Sequence, residues 1–223
     1  MRLHLHEWGD PGAPPLVCLH GVTAHGARFR KLAEERLARR CHVLAPDLRG
    51  HGHSSWDPPW STATHLDDLL ETLETAGIER ADWLGHSFGG RLLMELAARS
   101  PERIARSVLL EPAIQVLPHV ALDMAEGERS DLSFATAEEA VEARLASPRL
   151  LHTPRELVEE EMRAHLVRGE DGRLRYRYCR SAVVTAWSEM CIAPPPYERL
   201  RVPTLLVVGA APAPVRRTPW WTT

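Results

Sequence analysis

Residues Ala81 to Ser100 read ADWLGHSFGGRLLMELAARS, and this stretch decides the fold. The apolar pair Trp83-Leu84 runs into Gly85-His86-Ser87-Phe88-Gly89, and a helical pattern begins at once, with apolar residues at Phe88, Leu92, Leu93 and Leu96. The spacing predicts a strand, a sharp turn and a helix. In such a turn the chain doubles back so closely that side chains at 85 and 89 would collide, and glycine at both positions removes the obstruction. Ser87 then projects its hydroxyl at the N-terminus of a helix whose free N–H groups favour a neighbouring anion. The five-residue motif alone is weak. The strand before it and the amphipathic helix after it make Ser87 a candidate nucleophile.

Upstream, Arg2 to Trp8 alternates polar and apolar residues as an edge strand does, and Asp10-Pro11-Gly12 turns the chain out of it. Pro15 to Leu19 is a continuous apolar run, the pattern of a parallel strand buried on both faces, and it ends in His20-Gly21-Val22-Thr23. Ala27 to Arg40 reads as one amphipathic helix with Phe29, Leu32, Ala33 and Leu37 on one side, followed by a short strand from Cys41 to Ala45. A glycine-punctuated loop, Pro46 to Ser54, leads to a helix capped by Ser61 or Thr62 and ended at Gly77. Downstream, Ile104 to Leu110 is another apolar strand, closing at Glu111-Pro112.

This alternation implies an α/β fold with a doubly wound, mostly parallel sheet and a site at the carboxyl ends of its strands. Residues 1–112 form the first part of that core. Residues 113–196 are Arg- and Glu-rich, helical in period and broken by Pro118, Pro148, Pro154 and Pro194-Pro195-Pro196, so they read as a helical lid. Residues 197–209 return to the core with a strand from Val202 to Val208, and 210–223 form an irregular tail too rich in proline for either element.

At 223 residues and 44% hydrophobic, the chain has enough apolar material for one good core. A net charge of −3 gives no basic footprint for nucleic acid or an anionic membrane. Lys31, the single lysine, is not followed by Ser or Thr, which excludes a P-loop, and no Gly-x-Gly-x-x-Gly follows a strand. The N-terminus lacks a signal-peptide core and no segment approaches ~18 apolar residues, so a cytoplasmic protein is expected. Cys18, Cys41, Cys179 and Cys191 have no zinc-type spacing and read as reduced thiols. His4, His6 and His42 lie in strand-like segments, where surface or structural roles are commoner than catalysis.

Taken together, the His20-Gly21 turn after a buried strand, the Asp47 to Ser54 loop, Gly-His-Ser-Phe-Gly-Gly at 85–90, and Val202-Pro203-Thr204 followed by Gly209 are specific. Over residues 1–209 the chain resembles the α/β-hydrolase superfamily. The resemblance implies hydrolytic or acyl-transfer chemistry on a small ester, amide, lactone or activated carbon bond, with no metal or organic cofactor. It makes Ser87 the nucleophile and the backbone N–H groups of Val22 and Phe88 the oxyanion hole. His20, Gly21 and His86 are the candidates for substrate contact. Adjacent strand positions point to opposite faces, which argues against His86 as the base.

The resemblance also places an acid just past the strand at 202–208 and a histidine after one further strand. Here no carboxylate follows Glu198 and no histidine follows His165. The missing pieces need on the order of 40 to 50 residues at ordinary element lengths, and only 210–223 remain. The expectation is a hydrolase chain cut short or frame-shifted near residue 210, with its last helix and strand missing. Glu111, at the end of the strand after the elbow helix, is the alternative acid. His119, His152 and His165 lie in the lid, and His25 is read as substrate-facing or on the surface. Two consequences follow: impaired turnover, with a non-catalytic binding protein as the second reading, and an exposed edge at 202–208 that invites self-association.

Overall fold

Period-two burial along the strands sets the architecture. The computed structural model describes residues 1–130, 132–147 and 153–209. In chain order the core elements are β1 (Leu5–Trp8), β2 (Pro15–Leu19), α1 (Arg30–Leu32), β3 (His42–Pro46), α2 (Thr62–Thr75), β4 (Ala81–His86), α3 (Phe88–Arg99) and β5 (Ile104–Leu110). The following region contributes α4 (Pro118–Gly127), β6 (Ser133–Phe134), α5 (Ala137–Leu145), α6 (Arg155–His165), β7 (Leu166–Arg168), β8 (Leu174–Tyr176) and α7 (Arg180–Ile192), before β9 (Thr204–Val207).

The main sheet runs β1-β3-β2-β4-β5-β9, with β1 antiparallel at one edge and every other pairing parallel. Alternate residues serve two apolar layers, as the pleat requires. Leu16, Cys18, Val43, Ala45 and Leu84 face Phe29 and Ala33. Val17, Leu19 and Trp83 face Leu66, Leu69 and Leu73 of α2 and Leu92, Leu93 and Leu96 of α3. Each fully buried leucine there contributes about 1.5–3 kcal/mol relative to exposure. Ser61 caps α2, its hydroxyl accepting the Thr64 N–H at 3.2 Å.

Two sequence expectations change. The continuous helix expected over Ala27 to Arg40 is a 3-10 turn at Gly26–Phe29, one α-turn and a π-turn at Ala33–Leu37. The widened turn, closed by Ala38 N–H to Ala33 O at 2.8 Å, buries Phe29 and Ala33 but leaves Leu32 38% exposed. The lid is also not purely helical. Gly169 to Gly172 turns β7 back onto β8, and β6 joins them in a small antiparallel sheet ordered β6-β8-β7. Phe134, Ala140, Val141, Val158 and Met162 form its own apolar cluster. Helix α7, placed in the lid by sequence, packs Val183, Ala186 and Met190 into the main core instead.

Strand β9 lies at the far edge, pairing with β5 from Ser107↔Thr204 to Leu110↔Val207. Its apolar residues are open to solvent, Leu205 at 60% and Leu206 at 54% exposure. Residues 210–223, the tail expected to be irregular, lie outside the described residues.

His65 of α2 is buried edge-on against Phe88, with ring centroids 5.5 Å apart, and neither ring nitrogen has a hydrogen-bond partner among the described residues. Burial pushes its pKa down to about 3, while His25 is lowered to about 4 by the same cause. Unfolded histidine takes up a proton near pH 6.5, whereas these rings refuse it until far lower pH. Their contribution is therefore intact above about pH 6.5 and is lost as pH falls towards the folded values. Each unit in that window lowers stability by about 1.4 kcal/mol per ring. Thermal melts from pH 7 to pH 4 are expected to show a falling midpoint, and His65→Leu to flatten the decline. Equal slopes in the two proteins would refute the assignment.

Candidate active site

Ser87 sits between β4 and α3 at φ 51°, ψ −114°, a conformation that costs a non-glycine residue about 1–3 kcal/mol. Its backbone is held on three sides: its N–H donates to Leu110 O at 3.0 Å, and its carbonyl accepts the N–H groups of Arg91 at 3.1 Å and Ala113 at 3.0 Å. A methyl at Gly85 would lie 2.6 Å from Gly89 O, and one at Gly89 would lie 2.4 Å from Leu19 O. The hydroxyl is half-buried and has no hydrogen-bond partner among the described residues.

The turn after β2 faces this serine. An ideal methyl on Gly21 would come within 3.2 Å of His86 Nδ1 and 3.4 Å of Ser87 Cβ. Three imidazoles hold the turn by consecutive carbonyls. His20 Nδ1 donates to Gly21 O at 2.8 Å, His51 Nε2 to Val22 O at 2.6 Å, and His165 Nε2 to Thr23 O at 3.0 Å. Leu48 N–H donates to His20 Nε2 at 3.0 Å, which fixes that ring as the Nδ1–H tautomer. In a trans peptide the N–H opposes the C=O, so drawing Gly21 O towards His20 turns the Val22 N–H the other way. That N–H makes no hydrogen bond of its own among the described residues. The Phe88 N–H precedes the first intrahelical bond of α3, Arg91 to Ser87, and is likewise left over.

A cavity of about 350 Å³ lies over Ser87. Gly21 to Ala24 and His86 form one wall; Met124, Glu128, Arg144 and Trp187 close it from the lid side and α7. Burial raises the pKa of Glu128, an effect partly offset by the Tyr178 hydroxyl donating to its Oε1 at 3.4 Å. Glu128 Oε2 and Arg144 Nε are buried with no hydrogen-bond partner among the described residues. Arg28 from the core and Arg144 both approach Glu161 of α6, at 2.9 and 3.6 Å, and so tie lid to core. A larger hollow of about 840 Å³, between Ser61, Arg91 and Pro194 to Tyr197, does not include the serine.

Several expected residues fall elsewhere. His20, expected to touch substrate, is fully buried behind the turn with both nitrogens engaged, and its pKa is held well below the usual value by burial and by His51. His86 shares the cavity with Ser87, because Ser87 lies past the end of β4 and its left-handed backbone breaks the strand's alternation. Burial, with Arg28 nearby, lowers its pKa. Glu111 sits at φ 44° and its carboxylate accepts the Gly209 N–H. His25, expected to face substrate or lie on the surface, is 3% exposed and stacked on His165 at 4.5 Å. His119 is exposed on α4, and His152 lies outside the described residues. No imidazole hydrogen-bonds the Ser87 hydroxyl among the described residues. His51, Glu128, Arg144 and Trp187 gave no sequence signal, since long-range contacts alone bring them here.

Ser87 is thus a strained serine between strand and helix, faced by a turn whose Val22 N–H is spare among the described residues. The model of the alpha/beta hydrolase fold matches residues 14–190, and the chain belongs to this family. Lipase LipV of Mycobacterium tuberculosis is 35% identical over 203 residues, covering 84% of this chain and 71% of the lipase. The 3-hydroxybutyrate-oligomer hydrolase of Cupriavidus necator is 35% identical over 113 residues, covering 49% of this chain and 38% of that protein. Among solved structures, E-2-(acetamidomethylene)succinate hydrolase superposes with a TM-score of 0.78 at 27% identity, covering 92% of this chain and 75% of its own. The chain thus spans from under half to about three quarters of these relatives' lengths. No helix among the described residues is long and apolar enough to cross a membrane.

The close packing of the elbow gives a direct test. Gly89→Ala drives a methyl into the Leu19 carbonyl, backbone against backbone, whereas Gly127→Ala at the end of α4 meets nothing within 4 Å. Chemical denaturation is expected to show Gly89→Ala losing about 3 kcal/mol or more, and Gly127→Ala staying within about 1 kcal/mol of the parent.

Proposed function

We propose that this protein is a serine hydrolase acting on a small, partly apolar ester, amide, lactone or similar substrate bound under the lid. The observation that carries the reading is the unpartnered Ser87 hydroxyl in a cavity walled by the Gly21 to Ala24 turn. Ser87 Oγ attacks the carbonyl carbon, and the oxygen, taking the electron pair of the C=O π bond, is received by the Val22 and Phe88 N–H groups. Each such donor is worth about 3–4 kcal/mol in the transition state. Collapse expels the leaving group and leaves an acyl-serine, which water hydrolyses. His20 is a positioning residue, since it aims the Val22 N–H. Gly21 gives the substrate room beside Ser87, and His86 lies against it. Glu128 Oε2 and Arg144 Nε, without hydrogen-bond partners among the described residues, are suited to the substrate's polar substituents.

Attack also needs a base to take the serine proton. Among the described residues none is bonded to it, and Glu111 is engaged with Gly209 rather than with a histidine. Turnover by this chain is accordingly expected to be impaired. The same observation favours the second reading, a binding protein that keeps the pocket without the base.

Incubation with a fluorophosphonate, followed by intact mass, distinguishes the two. A working hydrolase gains one adduct at a rate abolished by Ser87→Ala and slowed about ten- to a hundredfold by His20→Ala. A folded protein that gains none is the binding protein.

The open edge of β9 supports self-association. Leu205 to Val208 is uncharged and exposed, and the side of β9 away from β5 has no strand partner among the described residues. A second copy pairing edge to edge satisfies both the backbone groups and the apolar side chains. Sedimentation is expected to show concentration-dependent dimers that Leu206→Lys shifts to monomer; a monomer at all concentrations would end this idea.

A further inference from the structure

On the edge of the sheet remote from Ser87 in the strand order, three imidazoles gather around a buried carboxylate. His4 and His6 are two residues apart along the first strand and so share a face. Their ring centroids are 4.7 Å apart. The antiparallel neighbour β3 ends beside them, and Asp47 follows it, its N–H donating to His4 O at 2.9 Å. His53 arrives from the loop after Asp47, with its ring 5.0 Å from that of His4 and 6.4 Å from that of His6. One nitrogen each from His4 and His6 and one Asp47 oxygen lie within 4.8 Å of one another.

The carboxylate is held as an outer shell would hold a ligand. Asp47 Oδ1 accepts the Gly26 N–H at 2.7 Å and lies 3.1 Å from His6 Nε2, while Oδ2 accepts the His53 N–H at 2.8 Å. The backbone around it is knit together: His4 N–H donates to Ser54 Oγ at 2.9 Å, and that hydroxyl donates to Asp47 O at 2.5 Å. An ion pair between His6 and Asp47 accounts for two of the four side chains. It leaves unexplained why the rings of His4 and His53 gather beside that of His6, where any protonation would set like charges against each other.

We propose that His4, His6 and Asp47, with His53 as the fourth ligand, form a site for a divalent transition-metal ion of the zinc class. Imidazole nitrogens with one carboxylate suit zinc, cobalt or nickel rather than magnesium or calcium, which take oxygen. Tetrahedral zinc with bonds near 2.0–2.1 Å sets its ligands about 3.3 Å apart. The His6–Asp47 separation of 3.1 Å already matches. His4 and His53 are exposed, and rotation of their side chains brings them in. The ion replaces the hydrogen bond from His6 to Oδ1, which keeps its second lone pair on the Gly26 N–H. Because Leu48 and His51 lie on the same loop as Asp47 and support the turn opposite Ser87, a bound ion ties the first strand to the base of the active site.

The test uses untagged full-length protein stripped with chelator. Titration with zinc chloride in a calorimeter, with bound zinc counted after dialysis by mass spectrometry, is expected to give one ion per chain. Cobalt loading is expected to give the visible absorption of a four-coordinate nitrogen and oxygen site. His4→Gln removes a ligand without removing a side-chain hydrogen bond, and so keeps the fold intact. It is expected to weaken binding at least about tenfold, and His4→Gln/His6→Gln to abolish it. His42→Gln, on the same pair of strands but bonded to Glu7 at 2.8 Å, is expected to leave affinity unchanged. Zinc is also expected to raise the melting midpoint of the parent but not of His4→Gln. No uptake, or uptake unchanged in the double variant, would overturn the proposal and leave Asp47 as a purely structural anchor.

Discussion

The peptide between Gly21 and Val22 is the constraint on which the site depends. Its planarity means that whatever holds the carbonyl also aims the N–H. His20 holds it from the end of the same strand, and His20 is in turn fixed by the Leu48 N–H. The next two carbonyls are held by His51, from the loop after β3, and by His165, from the end of α6 in the lid. Three parts of the chain far apart in sequence therefore converge on one turn. None of these three histidines need touch a substrate to affect the chemistry.

Burial makes that arrangement specific. His20, His51 and His165 are each at most 1% exposed, and desolvation lowers all three pKa values. A neutral imidazole carries one N–H, so each ring donates to one carbonyl. His51 lies between Arg49 O at 3.0 Å and Val22 O at 2.6 Å, and the shorter contact takes its proton. Protonating these rings would place charge in a buried setting, so the turn is built for neutral imidazoles, and the lowered pKa values keep them neutral below the usual histidine range.

The sequence made the local parts legible. Trp83-Leu84 before Gly85 and Gly89, and the leucines at 92, 93 and 96 after them, report a strand, elbow and helix whose causes lie within twenty residues. The continuous apolar run at Pro15 to Leu19 likewise reports a strand buried on both faces. The lid was less readable. Leu166–Arg168 and Leu174–Tyr176 are too short to show alternation, and β6 is only two residues. Periodicity also carried no trace of His165 reaching Thr23, 142 positions away, or of Glu128, Arg144 and Trp187 meeting over Ser87. His25 reads in sequence as substrate-facing or on the surface, and only the packing of α6 against it makes it core, as Phe88 does for His65.

Polarising a carbonyl and activating a serine are separate tasks, and they draw on separate parts of this chain. The proposed hole, the strained Ser87 and the cavity are assembled from residues up to Trp187, and among the described residues no acid or base is bonded to the serine. In triad hydrolases the hole and binding alone retain about 10³–10⁴-fold catalysis over water when a triad member is lost. On the proposed function, a site built this way prefers a tetrahedral oxyanion to a flat ester, because that function assigns its two spare N–H groups to the developing charge. The preference belongs to the Gly21–Val22 peptide and the first turn of α3, and it holds whether the bound species is passing through a reaction or simply resting there.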